Sequence, residues 1–250
     1  MTTTTRPTRA KTTATKGVPM DSLRKTALVA GLLYVITFVS IPTLVLYGPV
    51  LSDPNYIVGP GPDTPVIIGA ILEVIVALAG VGTAVVLYPV VKRQNEAAAL
   101  GFVGSRTLEG AAIVAGVVSL LSLVTLRQAG AGAGALATGQ ALAASYNWFF
   151  LLGQSLMPVV NALLLGSLLY RSRLVPRILP LVGLIGAPIL LASDIAVLFG
   201  LWDRISAPSG LLALPIALWE FSLGVYLIVK GFKPSPITAG MTAINNQPTL

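Results

Sequence analysis

Six apolar runs dominate the chain, at residues 27–47, 66–91, 107–126, 146–170, 178–200 and 210–229. Each is about twenty residues or longer, and at about 1.5 Å of rise per residue each crosses a hydrocarbon core of about 30 Å. The pattern predicts an all-α fold, a polytopic membrane helix bundle of six transmembrane helices. Between the fifth and sixth runs, Asp203, Arg204 and Pro208 predict a turn rather than one continuous helix.

Polar residues interrupt these runs at informative places. Glu73, Glu109, Asp194 and Glu220 fall inside spans. An ionised acid at the bilayer centre costs about 2.5–3.5 kcal/mol on insertion scales, so each needs a partner, a proton or water. Helical spacing puts each acid on a face of small residues: Gly69, Ala77 and Gly80 with Glu73; Ala112 and Gly116 with Glu109; Gly183 and Ala187 with Asp194; Ala217 and Gly224 with Glu220. Small residues line helix–helix contacts, so every acid is expected to look into the bundle. The fourth run carries Asn147, Gln154 and Asn161, a heptad spacing that keeps three amides near one face. Arg106 and Glu109, three residues apart, are expected to form a local ion pair at a helix start near the inner membrane edge.

Charge sets the orientation. With a cytoplasmic N-terminus, fourteen of the sixteen Lys and Arg residues fall on the cytoplasmic side, leaving only Arg127 and Arg204 opposite. The positive-inside rule then predicts both termini in the cytoplasm. Tyr47, Tyr88, Tyr146, Trp148, Tyr170, Trp202 and Tyr226 lie at or near span ends, as expected of interface anchors. Only 10% of the 250 residues are charged and 55% are hydrophobic, against roughly 25% charged in a soluble domain. The mean hydropathy is +0.86.

Residues 1–22, rich in Thr and basic side chains, read as a disordered tail; 23–233 as the transmembrane domain; 234–250 as a loose C-terminal tail. The Gly- and Pro-rich stretch 48–65 is expected to form a turn-dense outer loop able to cap a cavity, and the Ala/Gly stretch 129–144 a mobile outer linker. There is no Cys and no His. That removes disulfides, thiolate metal sites, His-ligated haem and Ser–His catalysis, so no metal site, cofactor or catalytic residue is assigned. The basic tail and loops suit anionic lipid, at about 1 kcal/mol per basic residue near the surface. Without interleaved aromatics they give no reason to expect nucleic acid.

The strings at 53–57 (DPNYI), 69–73 (GAILE), 89–96 (PVVKRQNE), 184–193 (LIGAPILLAS) and 218–232 (LWEFSLGVYLIVKGF) resemble those of a bacterial multi-span family, domain of unknown function 4386. The resemblance implies a bacterial cytoplasmic-membrane protein of about six helices. It brings no reaction, ligand or catalytic residue.

The leading functional reading is a bundle that binds or conducts a small solute or proton. Glu73 and Asp194 are expected in a shared outer-half pocket, with Glu220 below, Gln154 at the wall and Asn161 deeper on the same face. Arg127 is the competing partner for Glu73. The alternative is a non-catalytic structural or regulatory membrane module whose acids and amides serve as interhelical hydrogen-bond glue. An enzyme ranks behind both, since no nucleophile–base pair can be identified. A second copy of the chain is a further partner the sequence leaves open.

Overall fold

A computed structural model describes residues 21–239. Six helices in it are long and apolar enough to cross a membrane: α1 (Ser22–Leu46), α2 (Thr64–Val91), α3 (Glu96–Gln128), α4 (Ala133–Ser172), α5 (Ile178–Leu198) and α6 (Ala207–Val229). Among the described residues there is no strand. Consecutive helices pack side by side and α6 closes back onto α1, giving a six-membered ring with sparse contacts across its middle. Leu32, Leu78, Leu108, Leu163, Ile185 and Leu218, one from each helix, are exposed around the circumference. Polar side chains are enclosed instead, among them Glu73, Arg106, Glu109, Asn161 and Asp194. An apolar outside around a polar inside suits lipid as the surrounding medium.

Glycine closes the ring. A Cβ on Gly31 would lie 2.6 Å from the Gly224 carbonyl oxygen, so α1 and α6 touch backbone to backbone. Gly183 accommodates the ring of Trp219, which is fully buried. At the same end, Arg24 donates to the carbonyls of Leu227 (2.8 Å) and Ile228, capping the last turn of α6 with a positive charge. This end, where the first and last helices meet, is called the terminal end below, and the opposite one the distal end.

Two spans are longer than expected. α3 begins at Glu96 rather than at 107, because Asn95 caps it through a 2.9 Å bond from the Ala98 amide and three alanines follow. Arg106 and Glu109 therefore do not sit at a helix start. Arg106 lies ten residues inside α3, roughly 15 Å along its axis, and so is not one of the charges at a span end. The Ala/Gly stretch also differs from a mobile linker: helix resumes at Leu136, since alanine favours helix, and only the glycine turn around Gly130 and Gly132 interrupts it. Residues 234–239, assigned by sequence to the C-terminal tail, dock on the bundle. Ser235 donates to the Ser172 carbonyl at 2.6 Å and Thr238 is buried. The tail residues 1–20 and 240–250 lie outside the described residues.

Two helices are irregular where they face the interior. In α1 residues Thr37–Ser40 tighten into a 3-10 turn, with Thr37, Ser40 and Thr43 each donating a hydroxyl to the carbonyl three residues back. Pro42 removes a backbone donor in the same stretch. In α4 residues Phe150–Ser155 form a π turn, and a Cβ on Gly153 would meet the Ala112 methyl at 2.5 Å. The widened turn lets α4 lie tightly on α3 and changes the direction of the side chains that follow.

Candidate functional site

The π turn aims two neighbouring residues at two different acids. Gln154 donates to Glu73 at 3.1 Å, and Ser155 donates to Asp194 at 2.6 Å. Glu73, fully buried on α2, also accepts from the Tyr146 hydroxyl at 2.7 Å and the Tyr47 hydroxyl at 3.3 Å. The two phenol rings meet edge to face with centroids 5.3 Å apart. The ring of Tyr47 lies where a Cβ on Gly69 would be, which explains the glycine one turn before the acid. Glu73 is thus caged by neutral donors, with no salt-bridge partner among the described residues.

Glu73 and Asp194, expected in a shared pocket, are held by different donors, and neither lines either of the two cavities beside α4 described below. Arg127 does not reach Glu73. It donates through Nε to Asp63 at 2.7 Å and through Nη2 to the other carboxylate oxygen, while Nη1 bonds the Gly59 carbonyl at 3.0 Å. Gln128 and Tyr56 complete the Asp63 shell at 2.9 and 3.0 Å. The Arg127 hydrogen bonds hold the Asp63 carboxyl below its ordinary range. Burial, then the hydrogen bond to Asp63, pushes the Tyr56 phenol up to about 12. This clamp orders the loop between α1 and α2.

A second polar cluster lies near the centre of the bundle. Arg106 bonds both oxygens of Glu109 through Nη1, at 3.1 and 3.0 Å, and reaches Glu220 through Nη2. Asn161 donates to Glu109 at 2.7 Å. The guanidinium also lies over the Tyr34 ring at 5.4 Å and the Phe102 ring at 5.8 Å. The local ion pair expected from sequence therefore exists, but deep in the bundle, and its third member Glu220 comes from α6, 114 residues away.

A cavity of 290 Å³ adjoins this cluster, and all six helices line it. Arg106, Glu109, Glu220, Gln154 and Ser155 give it a polar side, while Phe38, Ile41, Leu44, Val76, Leu190 and Ile216 are among its apolar walls. Of the residues expected to bind a ligand, Gln154 and Glu220 line the cavity, beside the expected ion pair Arg106 and Glu109. Asn161 stands behind Glu109. Toward the distal end lies a wider recess of 640 Å³, which shares Thr43, Leu44 and Phe150 with the cavity wall. Arg204 borders the recess, stacked over Phe150 at 4.1 Å and donating to Asn147 at 2.9 Å.

Several of these residues carry no clear signal in the sequence. Tyr47 and Tyr146 read as interface anchors, yet both are buried against Glu73. Ser155 and Arg204 look like ordinary span and turn residues. The three amides of α4 are legible as a stripe, but their partners differ: Asn147 takes Arg204, Gln154 takes Glu73 and Asn161 takes Glu109. Among the described residues no group of three or more acidic side chains could hold a metal ion.

A closed ring of six apolar helices, lipid-facing outside and polar within, defines a multi-pass α-helical membrane protein. The chain belongs to the family described as domain of unknown function 4386, whose model matches residues 29–231. The comparisons with curated proteins and with solved structures returned no match.

Proposed function

We propose that this protein binds a small cationic solute or a proton in the central cavity of its bundle, in the bacterial cytoplasmic membrane. One observation carries the reading. Two carboxylates, Glu109 and Glu220, share a single guanidinium, Arg106, beside a cavity to which every helix contributes. With both acids ionised, the trio has one negative charge too many for a low-dielectric interior, and a bound cation or a proton balances it. At 290 Å³ the cavity lies just below the usual range of about 300–1,000 Å³ for ligand pockets, so its occupant is small. Phe38 and Phe150 offer aromatic faces and Ser155 and Gln154 offer polar atoms, a lining suited to an organic ammonium ion. In this reading Glu220 and Gln154 touch the solute, whereas Glu73, Asp194 and Asn161 hold the wall. The basic residues near the terminal end, including Arg24, Lys92, Arg93, Arg173 and Lys230, support a cytoplasmic position for that end and contact with anionic lipid.

The test is thermal unfolding of the purified full chain with n-butylammonium or tetramethylammonium chloride, against sodium chloride and butan-1-ol. Ammonium should raise Tm saturably in the wild type and leave a folded Glu220→Gln variant unmoved. Equal responses of the two proteins, or of ammonium and butanol, would overturn the cationic solute. If ammonium has no effect but Glu220→Gln removes a pH dependence of Tm, the occupant narrows to a proton. The second reading, a structural module, is favoured by the way Arg106, Glu109, Glu220 and Asn161 tie α3, α4 and α6 together through direct side-chain bonds. A Glu220→Gln variant that fails to fold under every condition speaks for it.

A further inference from the structure

Beside the distal recess lie buried donors that the fold leaves without acceptors. Arg204 makes one side-chain hydrogen bond, to Asn147. Its Nε is buried with no partner, and so is the indole Nε1 of Trp202, two residues away. Both side chains border the 640 Å³ recess. No carboxylate lies within ion-pair distance of Arg204. Asp203, on the recess rim, is exposed, and Glu73 acts on Arg204 only through space, its oxygens being bonded by Tyr47, Tyr146 and Gln154. A buried donor without an acceptor is costly, and a guanidinium more so than an indole. Two such groups beside one recess of ample volume call for an acceptor from outside the chain.

We propose that the distal recess is a binding site for an amphipathic oxyanion, a carboxylate or phosphate attached to an apolar body. A turn of the two side chains into the recess brings the buried Arg204 Nε and Trp202 Nε1 to the oxygen atoms, because a planar guanidinium and a neighbouring N–H match a group with two or more acceptor oxygens. The apolar body lies among Leu44, Leu51, Leu151 and Val197, with Trp148 at the edge. Arg204 repels any cation moving toward the central cavity, and a bound anion removes that repulsion. The site itself does not rest on the central-cavity reading. The anion has two sources, a free amphipathic acid or an anionic lipid headgroup at the membrane surface.

The experiment uses the full chain in phosphatidylcholine nanodiscs, titrated with 3-phenylpropanoate and its uncharged analogue 3-phenylpropanamide. The readouts are tryptophan fluorescence and Tm. Phenylpropanoate should change both saturably and the amide should not. Arg204→Gln should weaken binding by about tenfold or more, and Trp202→Phe by a smaller factor. A second arm replaces part of the phosphatidylcholine by phosphatidylglycerol. An Arg204-dependent rise in Tm there, with loss of the phenylpropanoate response, assigns the site to lipid headgroups. A phenylpropanoate response unaffected by phosphatidylglycerol assigns it to a free acid. Equal binding of acid and amide, unchanged affinity in Arg204→Gln, or no response in either arm overturns the proposal. Should Arg204→Gln fail to fold, Arg204→Lys and Trp202→Phe decide the matter by the same acid-against-amide comparison. Glu220→Gln should leave this response intact, which separates failure here from failure of the central cavity.

Discussion

At the centre of the bundle the Arg106 guanidinium lies over Tyr34 and Phe102, at 5.4 and 5.8 Å. In the distal recess Arg204 lies over Phe150 and Tyr146, at 4.1 and 5.7 Å. The aromatic surroundings are alike, but the counter-charges are not. Arg106 meets two carboxylates, Glu109 and Glu220, and Arg204 meets one amide oxygen. Burial also pulls the Arg204 guanidinium below its ordinary pKa, the effect expected where little answers a buried positive charge. An arginine compensated inside the fold fixes helices to one another. One left uncompensated contributes little to the ring and is available to something else.

The largest effect should come from breaking the compensated side. Arg106→Met leaves Glu109 and Glu220 buried near each other without a cation, and removing one member of a buried ion pair typically costs about 3–5 kcal/mol. The variant should unfold at markedly lower temperature or denaturant concentration, and adding Glu109→Gln and Glu220→Gln should restore much of the loss. An Arg106→Met protein as stable as the wild type would mean that the trio does not hold the ring.

The Glu73 cage stands between these extremes, a buried carboxyl group met by neutral donors. Tyr146→Phe removes its shortest hydrogen bond, 2.7 Å, and should cost about 1–3 kcal/mol because the acceptor stays buried. Tyr47→Phe should cost less, its bond being 3.3 Å long. Chemical unfolding of the two variants side by side measures the order, and a reversed order would mean that the cage is held by packing rather than by its hydrogen bonds.

The sequence is legible where the membrane itself dictates the pattern and opaque where partners come from afar. Long apolar runs had to be helices, and acids on small-residue faces had to look inward, as all four do. Arg106 reads as a charge at a helix start near the inner membrane edge because a guanidinium normally ends a span. Glu109 three residues on and Glu220 more than a hundred residues later together hold it inside. Periodicity tells which face Gln154 occupies but not that a π turn sends Gln154 and Ser155 to different acids. A tyrosine at a span end has the same signature whether it anchors the interface or donates to a buried carboxylate, so Tyr47 and Tyr146 were not separable from Tyr170 by pattern.

The clamp at the distal loop supplies a pH test of a compensated arginine nearer the surface. Asp63 has a depressed pKa in the folded protein, so its contribution is present above the unfolded value of about 3.9 and is lost as pH falls through the lower folded value. At neutral pH Asp63→Asn should lower stability by about 1 kcal/mol, as expected of a partly exposed ion pair. Below about pH 4 the wild type should converge on the variant. A difference that persists unchanged to pH 2 would assign the loss to geometry and not to the carboxylate charge.

The smallest change is expected from Arg204→Gln in the absence of any added anion, and it bears most directly on the contrast with Arg106. The substitution removes stacking on Phe150, worth about 0.5–1 kcal/mol at an exposed site and more when desolvated. It also removes a charge that no carboxylate in the fold contacts, together with the buried orphan Nε. These contributions oppose each other, and the loss of the Nη2 bond to the Asn147 oxygen adds to the first. The stability of Arg204→Gln should therefore stay within about 1 kcal/mol of wild type, several-fold less than the loss in Arg106→Met. Paired unfolding curves in phosphatidylcholine nanodiscs measure this directly. If Arg204→Gln is as damaging as Arg106→Met, Arg204 holds the helices as Arg106 does, and the distal recess is structural.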